Sequence, residues 1–272
     1  MDIARLAHIA GKAAVSAGKV IRTYYKSDLQ IHLKVTGTSK ASQVVTEADK
    51  ASERILLEHL QPTCSAYDIA LLSEETPDDQ SRFEKDYFWC IDPMDGTLAF
   101  INNRPGFSLS IALVAKDGTP KIGVVYDPLS GNFYHAIQGG GAYKNGSPWI
   151  VNGNNNFLTY VTDRTLKDTP RAEEIHQYLN TKVQELQLKG IQEIAGGGAV
   201  YNAIQVLENG PACMLKFPKK TNGGGSLWDY AATACLFQEL GLSATNFNGG
   251  PLDLNRKEST FMNHEGILFT HF

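Results

Sequence analysis

Two aspartates close together at the end of an apolar segment are the strongest chemical signal in the chain. The segment spans residues 89–97 and reads Trp-Cys-Ile-Asp-Pro-Met-Asp-Gly-Thr, with Asp92 and Asp95 three positions apart. Pro93 disfavours helical backbone at Asp92, so we expect a strand that stays extended to Asp92 and a turn at Pro93 and Met94. Both carboxylates can then face one point. Hard, anionic oxygen donors in such an arrangement suit Mg²⁺.

Gly96 and Thr97 follow directly and stand where a helix could begin. Unpaired amides and the positive end of the helix dipole make a helix N-terminus a binding site for anions. The segment therefore offers a metal site and a phosphate site next to each other. A loop with an Asx turn and an ordinary helix cap explains the same residues equally well.

Carboxylates also stand at the ends of two other predicted elements. Residues 67–75 predict a buried strand that leads into Glu74, and residues 227–241 predict a helix that opens at Asp229 and stops at Gly241. Taken singly, Glu74 could be a solvated turn acid and Asp229 a first-turn acid that complements the helix dipole. Three acidic element ends in one chain are harder to explain in this way.

The elements that must position these residues can be predicted from periodicity. Apolar residues at helical spacing predict a first helix that runs to about Tyr25, and the capping-box-like residues 46–49 predict the start of a second. Residues 107–149 alternate with period two between turn signals and predict an antiparallel meander. From residue 158 onward, strands alternate with helices, which predicts a second, more parallel sheet.

Composition excludes some classes of protein. The net charge of −4 argues against binding to a nucleic acid polymer. No apolar run approaches the roughly 20 residues that a membrane span needs, and the N-terminal segment lacks the core of a signal peptide. Four scattered cysteines without a CxxC pair indicate free thiols in a reducing compartment. We therefore expect a cytoplasmic protein with no membrane partner.

Together these motifs resemble the lithium-sensitive, Mg²⁺-dependent phosphomonoesterases, which include inositol monophosphatases, fructose-1,6-bisphosphatases and 3′(2′),5′-bisphosphate nucleotidases. The matching segments occur in the order typical of that superfamily, at residues 44–56, 71–75, 89–97, 106–128 and 227–234. Within the superfamily the chain looks most similar to the bacterial bisphosphate nucleotidases, through residues 73–79, 118–128 and 249–263. The haloacid type of phosphatase fits poorly, because its paired aspartates are two positions apart.

The resemblance implies an α/β fold of five layers, an αβαβα sandwich of the sugar-phosphatase type. We expect residues 1–150 to form an N-terminal α+β half that carries most metal ligands. Residues 151–272 would form a C-terminal α/β half that carries Asp229 and the residues on the substrate side. The site would then lie between the halves.

Carried over position by position, the resemblance also assigns roles to residues. It implies that Mg²⁺ is bound by the backbone carbonyl of Met94 and by four side chains, those of Glu74, Asp92, Asp95 and Asp229. The amides of Gly96 and Thr97 would bind phosphoryl oxygens. Thr97 and Asp49, assisted by Glu74, would orient or deprotonate the attacking water. For Asp49 a purely structural role as a helix-capping acid stays open, and both roles could coexist.

The substrate is less well defined by the sequence. Relatives carry polar residues where this chain has Leu98-Ala99-Phe100, but Lys216, Lys219 and Lys220 shortly precede Asp229, where inositol monophosphatases tend to place an acid. We therefore expect a small bisphosphate, adenosine 3′,5′-bisphosphate, cleaved to AMP and phosphate. A Lys-Lys pair followed by three glycines is more often a solvated loop, so the sequence leaves open whether Lys219 and Lys220 contact the substrate.

Three alternatives to the bisphosphate nucleotidase stay open. The protein could be an inositol monophosphatase or a related sugar phosphatase, or a degenerate relative that binds metal and acts as a binding protein. If the protein is an active phosphatase of this superfamily, the resemblance implies that Li⁺ inhibits it. The sequence leaves open whether the protein forms a homodimer.

Overall fold

The computed structural model describes residues 1–27, 31–33, 44–169 and 171–272, with backbone alone at 31–33 and 44–45. The helices of this part of the chain are α1 (Ile3–Tyr24), α2 (Glu47–Tyr67), α3 (Thr97–Ile101), α4 (Ala172–Glu185), α5 (Ala199–Glu208) and α6 (Leu227–Glu239). Its strands are β1 (Ile31–Leu33), β2 (Val44–Thr46), β3 (Ala70–Ser73), β4 (Tyr87–Asp95), β5 (Ser108–Ala115), β6 (Pro120–Tyr126), β7 (Phe133–Ile137), β8 (Gly141–Lys144), β9 (Ser147–Pro148), β10 (Leu158–Thr162), β11 (Ile191–Ala195), β12 (Ala212–Lys216), β13 (Ser243–Thr245) and β14 (Ile267–His271).

The first two helices form where the periodicity predicts them. Asp2 caps α1 by accepting from the Arg5 amide, and Thr46 caps α2 in the predicted capping box with Asp49. Small residues on the buried face of α1 let the helix approach β6 closely. At Gly18, for example, a Cβ atom would lie 2.3 Å from the ring of Tyr126. Both helices thereby cover one face of the first sheet.

The first sheet has seven strands in the order β3-β4-β5-β6-β7-β8-β9. In this sheet only β3 and β4 pair in parallel. The strands from β4 to β9 are antiparallel to their neighbours, and β5 to β9 form the predicted meander. Every residue of β5 is buried, although period two is typical of strands with one wet face. The reason is that alternate residues pack on opposite sides, Ile111 with the core under α1 and α2, and Ala112 with the core under α5 and α6.

The second sheet has five strands in the order β11-β10-β12-β14-β13. β10 pairs in parallel with β11 and β12, whereas β14 is antiparallel to both of its neighbours. The strand and helix alternation thus predicted the parallel part of the sheet, and the last two strands complete it in the other direction.

The helices and sheets stack in five layers, which confirms the predicted αβαβα sandwich. One core joins α1 and α2 to the seven-stranded sheet, a second joins that sheet, α5, α6 and the five-stranded sheet, and a third joins the five-stranded sheet to α4. The first sheet uses residues 70–148 and the second uses residues 158–271. The division into halves near residue 150 stays a prediction.

Two local expectations need correction. β4 does not end at Asp92: it pairs again at Asp95, with a shift of register between the two residues. Pro93 has no amide to donate to the ladder, so the extra residue is accommodated as a bulge. In addition, α6 begins at Leu227, and Asp229 is the third residue of its first turn, with Ser226 as the cap.

The described part of the chain contains no helix that is both long enough and apolar enough to cross a membrane.

Candidate active site

The bulge in β4 directs two carboxylates towards the same region. Asp92 is 1% exposed and accepts a hydrogen bond of 2.9 Å at Oδ1 from the Met94 amide. Asp95, three residues later, pairs with Ser108 on β5 and is also buried. A regular strand would place side chains three positions apart on opposite faces, and the irregular backbone removes that constraint.

Asp95 lies against the N-terminus of α5. Its Oδ1 accepts from the Ala199 amide at 3.0 Å, and its Oδ2 accepts from the Val200 amide at 2.9 Å and the Tyr201 amide at 3.4 Å. This approach requires a glycine at position 198, because a Cβ atom there would lie 2.2 Å from Asp95 Oδ2. The second half of the chain therefore fixes the orientation of this carboxylate.

Asp229 joins the two carboxylates from α6. Its Oδ2 accepts from the Ser226 amide at 2.6 Å in a capping box, so the residue has a local structural role as well. One oxygen each from Asp92, Asp95 and Asp229 lies within 4.8 Å of the others. Oxygen donors gathered in this way fit a hard divalent cation.

The carboxylates of this cluster repel one another in a buried setting. Burial, followed by the charges of Glu74, Asp229 and Asp95, raises the pKa of Asp92 well above its ordinary value. Burial and the charge of Asp229 raise the pKa of Asp95 to about 8, although the three α5 amides act in the opposite direction. The pKa of Asp229 is raised to about 6, by burial first and by Glu74 second. The cluster therefore favours bound protons or a bound cation.

Glu74 follows β3, and its amide donates to the Ile91 carbonyl on β4 at 3.2 Å. Its charge acts on both Asp92 and Asp229, which places it beside the cluster. The hydroxyls of Ser73 and Thr76 on either side both donate to Glu53 Oε1 on α2. Of the four side chains predicted as metal ligands, the structure thus brings Asp92, Asp95 and Asp229 within 4.8 Å of one another and places Glu74 within electrostatic reach of two of them.

Thr97 and Asp49 form the pair that the resemblance implies. The Thr97 hydroxyl donates to Asp49 Oδ1 at 3.1 Å and lies 3.2 Å from the Met94 carbonyl oxygen. Asp49 Oδ2 accepts from the amide and hydroxyl of Thr46 at the start of α2. One carboxylate therefore caps a helix and holds the threonine, so the two roles considered for Asp49 occur together in its contacts.

The predicted phosphate-binding amides lie at the start of α3. Gly96 caps this helix with φ of +85°, and a Cβ atom at this position would lie 2.4 Å from the Gly106 carbonyl oxygen. Among the described residues, the amides of Gly96 and Thr97 have no hydrogen-bond acceptor. They are available to an anion beside the carboxylates.

The three predicted substrate lysines differ in position. Lys216 at the end of β12 lies 3.7 Å from Asp163, and its charge acts on Asp229, so it is next to the cluster. Lys219 is exposed, and burial together with the charges of Lys216 and Arg164 lowers its pKa. Lys220 is also exposed. The structure therefore brings Lys216 to the site and places Lys219 within electrostatic reach of Lys216.

The contribution of α5 to the site was not predicted from the sequence. Residues 196–198 are a run of glycines that lacks a dinucleotide-binding pattern, and no side chain nearby suggested a function. The signal was the absence of a Cβ at Gly198, which matters only because Asp95 packs against it. Arg164, whose charge acts on Lys219 and Asp163, was not predicted either.

Stability of the metal-free protein should fall as pH rises through the site's pKa range. Unfolded aspartate titrates near pH 3.9, whereas Asp95 titrates at about 8 and Asp229 at about 6 in the fold. Between about pH 3.9 and the pKa values of the folded state, the folded protein therefore holds protons that the unfolded chain has already released. The free energy of unfolding falls as pH rises through this range. Melting in EDTA should occur at a lower temperature at pH 8 than at pH 5.5, with a larger gain from Mg²⁺ at pH 8. An equal rise in melting temperature on adding Mg²⁺ at pH 5.5 and at pH 8 would contradict this prediction.

The fold and site define an α/β protein of the layered type with a buried acidic cluster suited to a cation. A family model described as the inositol monophosphatase family matches residues 2–270. The chain belongs to this family, whose members include phosphatases, that is, phosphoric monoester hydrolases.

Relatives with equal sequence identity to this chain carry the names of different proteins. The chain is 31% identical to the 3′(2′),5′-bisphosphate nucleotidase CysQ of Aggregatibacter actinomycetemcomitans, over 94% of this chain and 89% of that protein. It is also 31% identical to the Nus factor SuhB of Pasteurella multocida, over 89% and 85% of the two chains. The structure of the Thermotoga maritima IMPase superposes with a TM-score of 0.73 at 23% identity, covering 99% and 92% of the two chains.

Proposed function

We propose that the protein is a Mg²⁺-dependent phosphomonoesterase that hydrolyses a small phosphorylated metabolite. The observation that carries this proposal is the convergence of Asp92, Asp95 and Asp229 within 4.8 Å, beside the amides of Gly96 and Thr97. Glu74 and the Met94 carbonyl complete the proposed donor set. When bound, the metal would supply Lewis acidity and a more acidic water.

The chain's own groups would orient the reacting atoms. The amides of Gly96 and Thr97 would donate to the phosphoryl oxygens from fixed positions, which favours charge that develops during displacement. The Thr97 hydroxyl, held by Asp49, would orient the attacking water and pass its proton towards the Asp49 carboxylate. Burial of Asp49 and Thr97 keeps bulk water from competing for these hydrogen bonds.

We further propose that the substrate is a small bisphosphate, adenosine 3′,5′-bisphosphate, cleaved to AMP and phosphate. Support comes from Lys216, whose charge acts on Asp229, and from Lys219, on which the charges of Lys216 and Arg164 act in turn. One phosphate would bind at the amides and at the metal that the carboxylates would hold, and the second would meet these cations. The similarity to CysQ agrees with this choice, but equal identity to SuhB means that identity alone does not select a substrate.

Removing Lys219 should weaken selection for the second phosphate. For Lys219→Ala we expect kcat/KM on the bisphosphate to fall about tenfold, equivalent to about 1.4 kcal/mol, while 5′-AMP is hydrolysed nearly as before. Lys220→Ala should have a smaller effect of the same kind. The matched control is Lys189→Ala, another exposed lysine of the same half. Equal losses on the bisphosphate and the monophosphate would mean that Lys219 does not recognise the second phosphate.

The same assay separates the alternatives. Wild-type protein would be tested for phosphate release from adenosine 3′,5′-bisphosphate, inositol 1-phosphate, fructose 1,6-bisphosphate and 5′-AMP, with and without Mg²⁺ and Li⁺. Turnover of inositol 1-phosphate at least as efficient as that of the bisphosphate would identify an inositol monophosphatase. Absence of Mg²⁺-dependent release from all four would favour a binding protein.

A further inference from the structure

Arg82 is a buried arginine that joins two distant parts of the chain. It is 1% exposed and lies in a short turn between β3 and β4. Its Nε donates to Asp78 Oδ2 at 2.8 Å, its Nη1 to Asn255 Oδ1 at 2.5 Å, and its Nη2 to the Arg256 carbonyl at 2.9 Å. All three nitrogens of the guanidinium thus have partners, two of them more than 170 positions away along the chain.

On one side, Arg82 holds the segment that carries Glu74. Asp78 lies four residues after Glu74, and its carboxylate is anchored by the guanidinium. The start of the same segment is held by Glu53, which accepts from the hydroxyls of Ser73 and Thr76. Glu74 therefore lies in a segment that is tied down before and after it.

On the other side, Arg82 holds the segment that clasps the start of α6. Arg256 Nη1 donates to the Phe261 carbonyl at 3.0 Å, and Phe261 forms an isolated bridge with Ser226. The Leu227 amide donates to the Thr260 carbonyl at 2.9 Å. Ser226 is the residue whose amide donates to Asp229. A chain of hydrogen bonds therefore leads from Arg82 to Asp229.

Asn255 fixes the orientation of the Arg82 guanidinium relative to the segment that carries Arg256. Its Nδ2 donates to the carbonyls of Lys116 at 2.8 Å and Arg82 at 3.3 Å, while its Oδ1 accepts from Arg82. The planar guanidinium meets acceptors in three fixed directions, which the single ammonium of a lysine cannot reproduce.

We propose that Arg82 is a positioning residue that sets the separation of Glu74 and Asp229, and thereby the affinity of the site for a divalent cation. The proposal rests on the proposed function, because it takes both carboxylates as metal ligands. Groups that orient metal ligands from behind typically change affinity by about 10- to 100-fold when they are removed.

The test compares three variants by isothermal titration with Mg²⁺ alone, with circular dichroism and thermal melting of the metal-free proteins. Arg82→Lys keeps the charge but loses the geometry, and Asn255→Ala keeps Arg82 but removes its partner across the two segments. The matched control is Lys85→Met, from the same turn, whose partner Asp68 is exposed. We expect the first two variants to bind Mg²⁺ about 10- to 100-fold more weakly than wild type, and the control to bind as wild type does.

Kinetics add a readout that a purely structural role would not move. If Arg82 acts by positioning, Arg82→Lys and Asn255→Ala should need more Mg²⁺ for half-maximal rate and recover most of kcat at saturating Mg²⁺. Wild-type affinity in both folded variants, with or without a lower melting temperature, would overturn the proposal. Failure of the wild type itself to bind Mg²⁺ would overturn the proposed function, which is a separate result.

Discussion

Replacing Asp92 with asparagine should abolish most phosphate release and leave the fold intact. We expect kcat to fall by about 10³-fold or more, equivalent to roughly 4 kcal/mol, because the change removes a charge from the proposed cation site. Stability should not fall, since asparagine has nearly the same volume and its Oδ1 can still accept from the Met94 amide. Its Nδ2 can also donate to Asp229, where the metal-free protein has two carboxyl groups in contact.

Steady-state kinetics across a Mg²⁺ titration, with thermal melting in EDTA, would check this expectation. The metal-free variant should melt at or above the wild-type temperature, because fewer buried carboxylates repel one another. The matched control is Asp117→Asn, the same chemical change at an exposed hairpin turn where the side chain accepts from the Thr119 amide. A loss of several kcal/mol in the metal-free Asp92→Asn protein would indicate that the cluster is primarily structural.

Replacing Thr97 with valine should lower kcat by about 10²-fold with little change in stability. Valine has nearly the same shape but cannot donate to Asp49, so the proposed path for the water's proton is lost. The helix cap made by Asp49 Oδ2 is untouched, because Thr46 supplies those donors. Kinetics at saturating Mg²⁺ would measure the effect, and Mg²⁺ binding by titration should stay close to wild type.

Asp49→Asn should combine the loss of activity with a loss of stability. Its side-chain amide still fits the space, but the weaker acceptor at the cap should cost about 1 kcal/mol in the free energy of unfolding. A useful control is Thr63→Val, a buried threonine of α2 that accepts from Trp89 Nε1. That variant should lose stability and keep kcat. Full activity in Thr97→Val would contradict the role given to the hydroxyl and leave Asp49 as a capping residue.

These expectations depend on three carboxylates that each make two kinds of contact. Asp49, Asp95 and Asp229 each accept from amides at the start of a helix, and each also faces the site. Helix N-termini stabilise negative charge, which partly offsets the cost of burying these acids together. The proposed site is thus built from carboxylates that also hold helix starts, Asp49 and Asp229 at their own helices and Asp95 at the distant helix α5.

The sequence alone determined the parts of this protein that depend on local order. Capping residues and apolar periodicity locate α1 and the start of α2, because these signals act over one or two turns. The spacing in residues 89–97 likewise indicated two carboxylates beside a helix start, and the order of motifs indicated the family.

Only the tertiary structure decided how these parts meet. The bulge that aims Asp95, the glycine at position 198 that admits it, and the arginine at position 82 that ties residues 78 and 255 together depend on contacts over long separations. The alternation of apolar residues also could not show that both faces of β5 are buried. The second face is covered by helices and a sheet from residues beyond 157. Local preferences select elements, whereas close packing between distant segments selects the geometry of the site.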